Sequence, residues 1–142
     1  MVETVKGLPF LLSERVMGVD LAEDCVIRLL AEKRSSSIAL KEMEGIFESE
    51  GIDTELIHIG NKDIRGCIAC NSCGKTGKCV FDDAVNEIAS KFENADGLVV
   101  ASPVYYASAN ATLVACLDRL FYSTHFDKTM KVGASVVVAR RG

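Results

Sequence analysis

Four cysteines, Cys67, Cys70, Cys73 and Cys79, stand within thirteen residues as a C-x2-C-x2-C-x5-C array. Thiolates are soft, negatively charged ligands. Four of them on so short a stretch, loosened by Gly74 and Gly77, can wrap one small ion or cluster without help from the rest of the chain. An iron-sulfur cubane takes four thiolates and so does zinc, and a loop of reduced thiols is the third reading of the same spacing. The remaining two cysteines need no special chemistry. Cys116 falls on a helical apolar stripe and Cys25 lies beside Val26 and Ile27, where a free cysteine behaves as a small buried hydrophobe.

A second candidate site runs from Ala101 to Asn110, ASPVYYASAN. It follows a short apolar run and precedes a helical pattern, the place where open parallel sheets bind ligands, outside the carboxyl ends of their strands. Pro103 stiffens the segment, Tyr105 and Tyr106 offer flat faces to a planar ring, and small neighbours let backbone amides approach closely. Read alone, the same residues also make an ordinary turn. His58, in an alternating strand, and His125, in a loop, read as structural or exposed, and Asp118-Arg119 as a source of local pairs on a helix surface.

The elements that would hold these residues alternate between helical and extended periods. Ser35, Ser36 and Ser37 can cap a helix whose Ala39, Met43, Ile46 and Phe47 share one face, with Gly51 as its stop. Ile52 to Ile59 alternates polar and apolar, as a half-buried edge strand does. Asp82 and Asp83 open a helix with Val85, Ile88, Ala89 and Phe92 on one side. Asp96-Gly97 then turns into Leu98-Val99-Val100-Ala101, which suits a buried parallel strand. Leu113, Cys116, Leu117, Leu120 and Phe121 follow the helical period, and Lys131 to Ala139 is again β-branched. Cys25 to Ala31 fits either a first strand or part of a helix over 21–34, and the order downstream favours the strand. Strand-helix crossovers of this kind give an α/β three-layer sandwich on a parallel sheet.

Composition bounds the function. The chain has 142 residues, 49% hydrophobic and 25% charged, at a net charge of -4, which describes one folded domain. Acidic residues are scattered among the basic ones, so no basic stripe offers to neutralise a nucleic-acid backbone. No apolar run approaches the roughly 20 residues that a membrane helix needs, and the MVETVKG start does not read as a leader, so the expected location is the cytoplasm. A reducing compartment in turn favours ligand or redox roles for clustered cysteines over disulfides.

The segments GCIACNSCGKTGKCVFDD and ADGLVVASPVYYASANATLVACLDRLFY, followed by VGASVVVARRG, resemble the NAD(P)H-dependent FMN reductase and iron-sulfur flavoprotein family over about residues 35–142. The resemblance implies a flavodoxin-like fold and an FMN cofactor. It places Ser102, Pro103, Val104, Tyr105 and Tyr106 around the isoalloxazine ring, with Ala139, Arg140, Arg141 and Gly142 at the edge of the flavin site. It also implies a 4Fe-4S cluster on Cys67, Cys70, Cys73 and Cys79. Members begin with an N-G-S-P-R-type loop that cradles the FMN phosphate at a helix N-terminus. Here the corresponding stretch is Leu30-Ala31-Glu32-Lys33-Arg34-Ser35-Ser36-Ser37, which leaves Arg34, Ser35, Ser36 and Ser37 as the phosphate candidates. The glycine and proline of that loop are missing, and Glu32 would repel the anion.

By resemblance, residues 25–142 form the FMN domain, incomplete at its C-terminal end, after an extension of unclear role over 1–24. The expected activity is that of an FMN-dependent, FMN reductase-like oxidoreductase or electron-transfer flavoprotein, with NAD(P)H or a small electron carrier as donor and a homodimer or homotetramer as the assembly. The alternatives are a non-enzymatic zinc- or metal-binding module, or a degenerate relative that no longer binds FMN. Neither nucleic acid nor a membrane is an expected partner.

Overall fold

The computed structural model describes residues 25–31 and 35–139, Ser35 through its backbone alone. The segment 1–24, Arg34, Arg140, Arg141 and Gly142 lie outside the described residues.

Strand β1, Cys25–Leu30, reads CVIRLL and is buried over its last five residues. A continuous apolar run of this length is what a strand covered on both faces requires, and the strand reading of this segment holds. β1 is flanked by β2, Asp53–His58, and β3, Gly97–Val104, and β3 carries β4, Val132–Ala139, on its other side. All three pairings are parallel, in the order β2-β1-β3-β4. β2 is thus an edge strand, and no residue of it is fully buried, as that position allows.

The helices fall on opposite faces of the sheet. Helix α1, Ser35–Ser49, packs against Val26, Leu30, Val99 and Ala101 through Leu40 and Phe47. On the other face helix α3, Ala84–Asn94, and helix α4, Ala111–Ser123, cover Ile27, Leu29 and Leu98 with Val85, Ile88, Phe92, Leu113, Cys116 and Leu120. Alternate residues of β1 therefore feed two separate cores, and each buried Leu or Ile contributes about 1.5–3 kcal/mol. The three-layer α/β sandwich expected from the pattern is the architecture observed.

One helical face differs from expectation. Along α1, Leu40 and Phe47 carry the burial while Ala39 and Met43 are half-buried, and Ile46 is 52% exposed. Ile46 lies about 100° around the helix from Phe47, beyond the line on which the helix meets the sheet. A short helix α2, Cys73–Thr76, is also present inside the cysteine array, where the spacing suggested only loop.

At the carboxyl edge, β1 leaves toward α1 and β3 leaves toward α4, so the chain departs to opposite faces from adjacent strands, the topological switch point of such sheets. Gly60, just beyond β2, packs on this edge. A Cβ there would stand 1.7 Å from the Ala31 carbonyl oxygen, so the end of β1 is fixed by a residue that has to be glycine.

Candidate functional site

The turn after β3 is built from two side chains. Ser102 is buried, and its Oγ donates to the Pro103 carbonyl at 2.9 Å while accepting from the Asn110 amide at 2.8 Å. Asn110 then caps α4, its Oδ1 accepting from the Thr112 and Leu113 amides at 2.9 and 3.3 Å. An antiparallel bridge between Val104 and Ala109 closes the loop, and Ala107 takes φ 53° at its bend. Tyr105 and Tyr106 are carried out of the core, and Tyr106 is 92% exposed. Val104 stands in register with Ala139, so the tyrosines leave the sheet beside the end of β4. Ala31 donates its amide to Ala101 at 3.1 Å, which brings the β1 exit alongside as well. The strands that lead to all three expected flavin segments therefore end next to one another. Of the phosphate candidates, Ser36 is buried and Ser37 half-buried in the first turn of α1, a turn with no acidic residue. Arg34, Arg140, Arg141 and Gly142 lie outside the described residues.

The cysteine array is held quite differently. Cys67, Cys70, Cys73 and Cys79 line one recess together with Phe81, Arg119, Tyr122 and Ser123. The array bends through positive φ at Ala69, Asn71 and Gly77, and Asn71 accepts from the Tyr122 hydroxyl at 3.2 Å. Cys79 is clamped through its backbone, its amide donating to Asn86 Oδ1 and its carbonyl accepting from Asn86 Nδ2, both at 3.1 Å. Its Sγ accepts from Arg119 Nε at 3.2 Å. The Ala69 amide donates to Cys67 Sγ at 3.4 Å. The Ser72 hydroxyl, and with it the Ser72 amide, holds the Cys70 thiol below its ordinary range. Two of the four sulfurs, those of Cys67 and Cys79, thus have a donor aimed at them.

Arg119 corrects the expectation of a helix-surface pair with Asp118. Its side chain is 1% exposed, on the buried side of α4, and it forms a fork with Asp83, NH1 to Oδ2 at 2.6 Å and NH2 to Oδ1 at 2.8 Å. It also donates to the Arg65 carbonyl at 3.2 Å and lies 4.9 Å over the Phe81 ring. Asp83 caps α3 by accepting from the Val85 amide at 3.0 Å. Burial alone would push the Asp83 carboxyl up, but hydrogen bonds from Arg119 and Val85 and the Arg119 charge hold it below its ordinary range. One signal for Arg119 was present in the sequence: it stands three residues after Cys116, on the apolar stripe itself.

The remaining cysteines and the two histidines do not line the recess. Cys116 is buried among apolar groups and its thiol is pushed up to about 11, as suits a core hydrophobe. Cys25 is half-buried, and burial followed by nearby Asp53 raises its thiol. His58 meets Asn61 through Nδ1 at 3.1 Å, and His125 is exposed. Among the described residues no three His, Cys, Asp or Glu side chains converge closely enough to hold a single metal ion, and no helix is long and apolar enough to cross a membrane.

Known proteins are similar to this chain. An iron-sulfur flavoprotein of Methanocaldococcus jannaschii is 36% identical over 105 residues, 73% of this chain and 54% of that protein. Another, from Methanosarcina thermophila, is 37% identical over 95 residues, 66% of this chain and 50% of its own length. The chain spans about half the length of these curated relatives. Among solved structures, RosB with a bound 8-demethyl-8-formylriboflavin-5'-phosphate intermediate matches at a TM-score of 0.66 and 18% identity, over 85% of this chain and 54% of that one. An apo NADH:FMN oxidoreductase matches at 0.56 and 18%, over 82% and 58%. At that identity the likeness concerns the fold, which is flavodoxin-like. The family model for NADPH-dependent FMN reductase matches residues 29–142, and the chain belongs to that family.

Proposed function

We propose that this protein is an FMN-dependent electron-transfer flavoprotein that draws on NAD(P)H or a small electron carrier and holds a 4Fe-4S cluster on Cys67, Cys70, Cys73 and Cys79. The observation that carries the reading is the recess that all four cysteines line, with donors directed at the Cys67 and Cys79 sulfurs and a buried, cationic Arg119 in its wall. Thiols accept hydrogen bonds weakly and thiolates strongly, so such donors suit a charged ligand set.

The donor set also fits a cluster better than a lone ion. Zinc holds its sulfurs at about 2.3 Å, which requires close convergence of the side chains. A cubane is a larger body whose four thiolates stand further apart around it. Ser123 adds a second point of fit. Its Oγ is buried in the same recess and has no hydrogen-bond partner among the described residues, the kind of atom that a sulfur ligand would satisfy.

For FMN, the tyrosine faces and the small residues Ala107, Ser108 and Ala109 suit a planar ring approached by backbone amides. The flavin, when bound, supplies two-electron chemistry, and the cluster supplies single-electron steps. What the chain contributes is position: Ser102 and Asn110 set the loop, and the first turn of α1, with Ser36 and Ser37, offers amides and the positive helix end to a phosphate. Ala139, Arg140, Arg141 and Gly142 are assigned to the ring edge, Arg34 and Ser35 to the phosphate, and assembly to a homodimer or homotetramer, on family resemblance.

The test is an anaerobic titration of the purified protein with FMN, followed by NADH or NADPH. Binding should quench flavin fluorescence, and the nicotinamide should bleach the bound flavin. A chain that leaves added FMN free in solution would overturn the flavin reading.

A further inference from the structure

We infer that Arg119 and Ser123, one turn apart on the buried stripe of α4, are positioning residues that raise the reduction potential of the cluster seated in the cysteine recess. The inference rests on the cluster reading above and adds to it which protein groups set the cluster's electronics.

Arg119 is the only cation reported to reach a cysteine of the array among the described residues, through Nε at 3.2 Å from Cys79 Sγ. Its remaining nitrogens are committed elsewhere, to both Asp83 oxygens and to the Arg65 carbonyl, so the guanidinium cannot swing away from the sulfur. Asn86 fixes Cys79 from the other side. The bond is therefore preorganised: donor and acceptor are each held by other elements before any ligand arrives. Ser123 follows at i+4. It is 3% exposed, lines the recess, and its Oγ has no partner among the described residues. A buried hydroxyl left unpaired is costly in the metal-free protein, and a sulfur acceptor in the recess relieves that cost.

The step affected is a one-electron reduction. The electron comes from reduced flavin, or from dithionite in the test, and it adds one negative charge to the cluster and its thiolates. No bond breaks and no proton is needed. Donors to the sulfurs, and a positive charge behind one of them, stabilise the more negative state and so raise the potential.

The experiment is a dithionite titration, followed by absorption, of the anaerobically reconstituted full chain and of the Arg119→Gln, Arg119→Lys and Ser123→Ala variants, with iron and sulfide assayed on each. Arg119→Gln should weaken the one-electron reduction equilibrium about tenfold, a shift of about 59 mV to lower potential. Ser123→Ala should shift it the same way by less, while the metal-free protein stays as stable as wild type or becomes more so. If Arg119→Gln does not fold, Arg119→Lys is decisive, because one ammonium cannot face Asp83 and Cys79 Sγ together: a lowered potential supports the inference. Iron-loaded variants at Arg119 and Ser123 that keep the wild-type potential overturn it and leave the cluster reading intact. A wild-type protein that takes up no iron overturns both.

Discussion

The two candidate sites of this molecule are built on opposite principles, and helix α4 joins them. At its N-terminus the turn from Ser102 to Asn110 is anchored at its base and open at its tip, with Tyr106 facing solvent. Along its C-terminal half, Arg119, Tyr122 and Ser123 line a recess in which Arg119 is tied to Asp83 and Tyr122 to Asn71. A planar ring is gripped by surfaces that can adjust to it, whereas a thiolate ligand set works only if its sulfurs and their donors are already in place. On the proposed function the open site serves stacking and the anchored one ligation.

The largest effect should come from dismantling the rigid region. Asp83→Ala leaves the Arg119 guanidinium buried without its carboxylate and removes the α3 cap, and should cost about 3–5 kcal/mol in a urea melt of the metal-free protein. The same pair sets an acid limit. Because the folded carboxyl lies below its unfolded value, its contribution is complete above the ordinary carboxylate range, about pH 4, and is lost as pH falls through the lower folded value. Wild-type protein should accordingly lose stability in acid more steeply than Asp83→Asn, and parallel curves would detach Asp83 from that role.

A smaller loss is expected at the other end of α4. Asn110→Ala removes the cap and the register of the turn together, for about 1 kcal/mol in the same melt, and should weaken FMN binding measured by fluorescence quenching. Tyr106→Ala separates binding from folding. An exposed side chain should change stability by no more than about 0.5 kcal/mol, yet its loss should weaken FMN about tenfold if the ring stacks there. Equal FMN affinity would break the assignment of the open loop.

The gentlest probe leaves the fold untouched. In metal-free protein at neutral pH, Cys70, exposed and lowered by Ser72, should alkylate ahead of Cys116, whose thiol lies near 11 and is buried. Mass mapping of a short iodoacetamide pulse reads the order directly.

Legibility in the sequence followed the same division. The strands and the α3 face could be read because apolar period alone determines them: Val85, Ile88 and Phe92 sit where spacing predicts. The four cysteines were visible as a motif, and their shared recess agrees with it. What escaped was long-range. Arg119 reads in the sequence as a source of local helix-surface pairs, since sequence distance hides a carboxylate 36 positions away. Asn86 gave no signal at all, because its clamp on Cys79 exists only once α3 has docked. Ile46 was assigned to a buried face because the helical stripe is broad, and only the sheet decides which flank it covers.

The most direct measurement is the iron and acid-labile sulfide content of the anaerobically purified chain. The account expects about four of each per chain, lost when Cys73 or Cys79 is replaced by Ser. One tightly held zinc per chain, or thiols that all titrate freely with no bound metal after reconstitution, would contradict it.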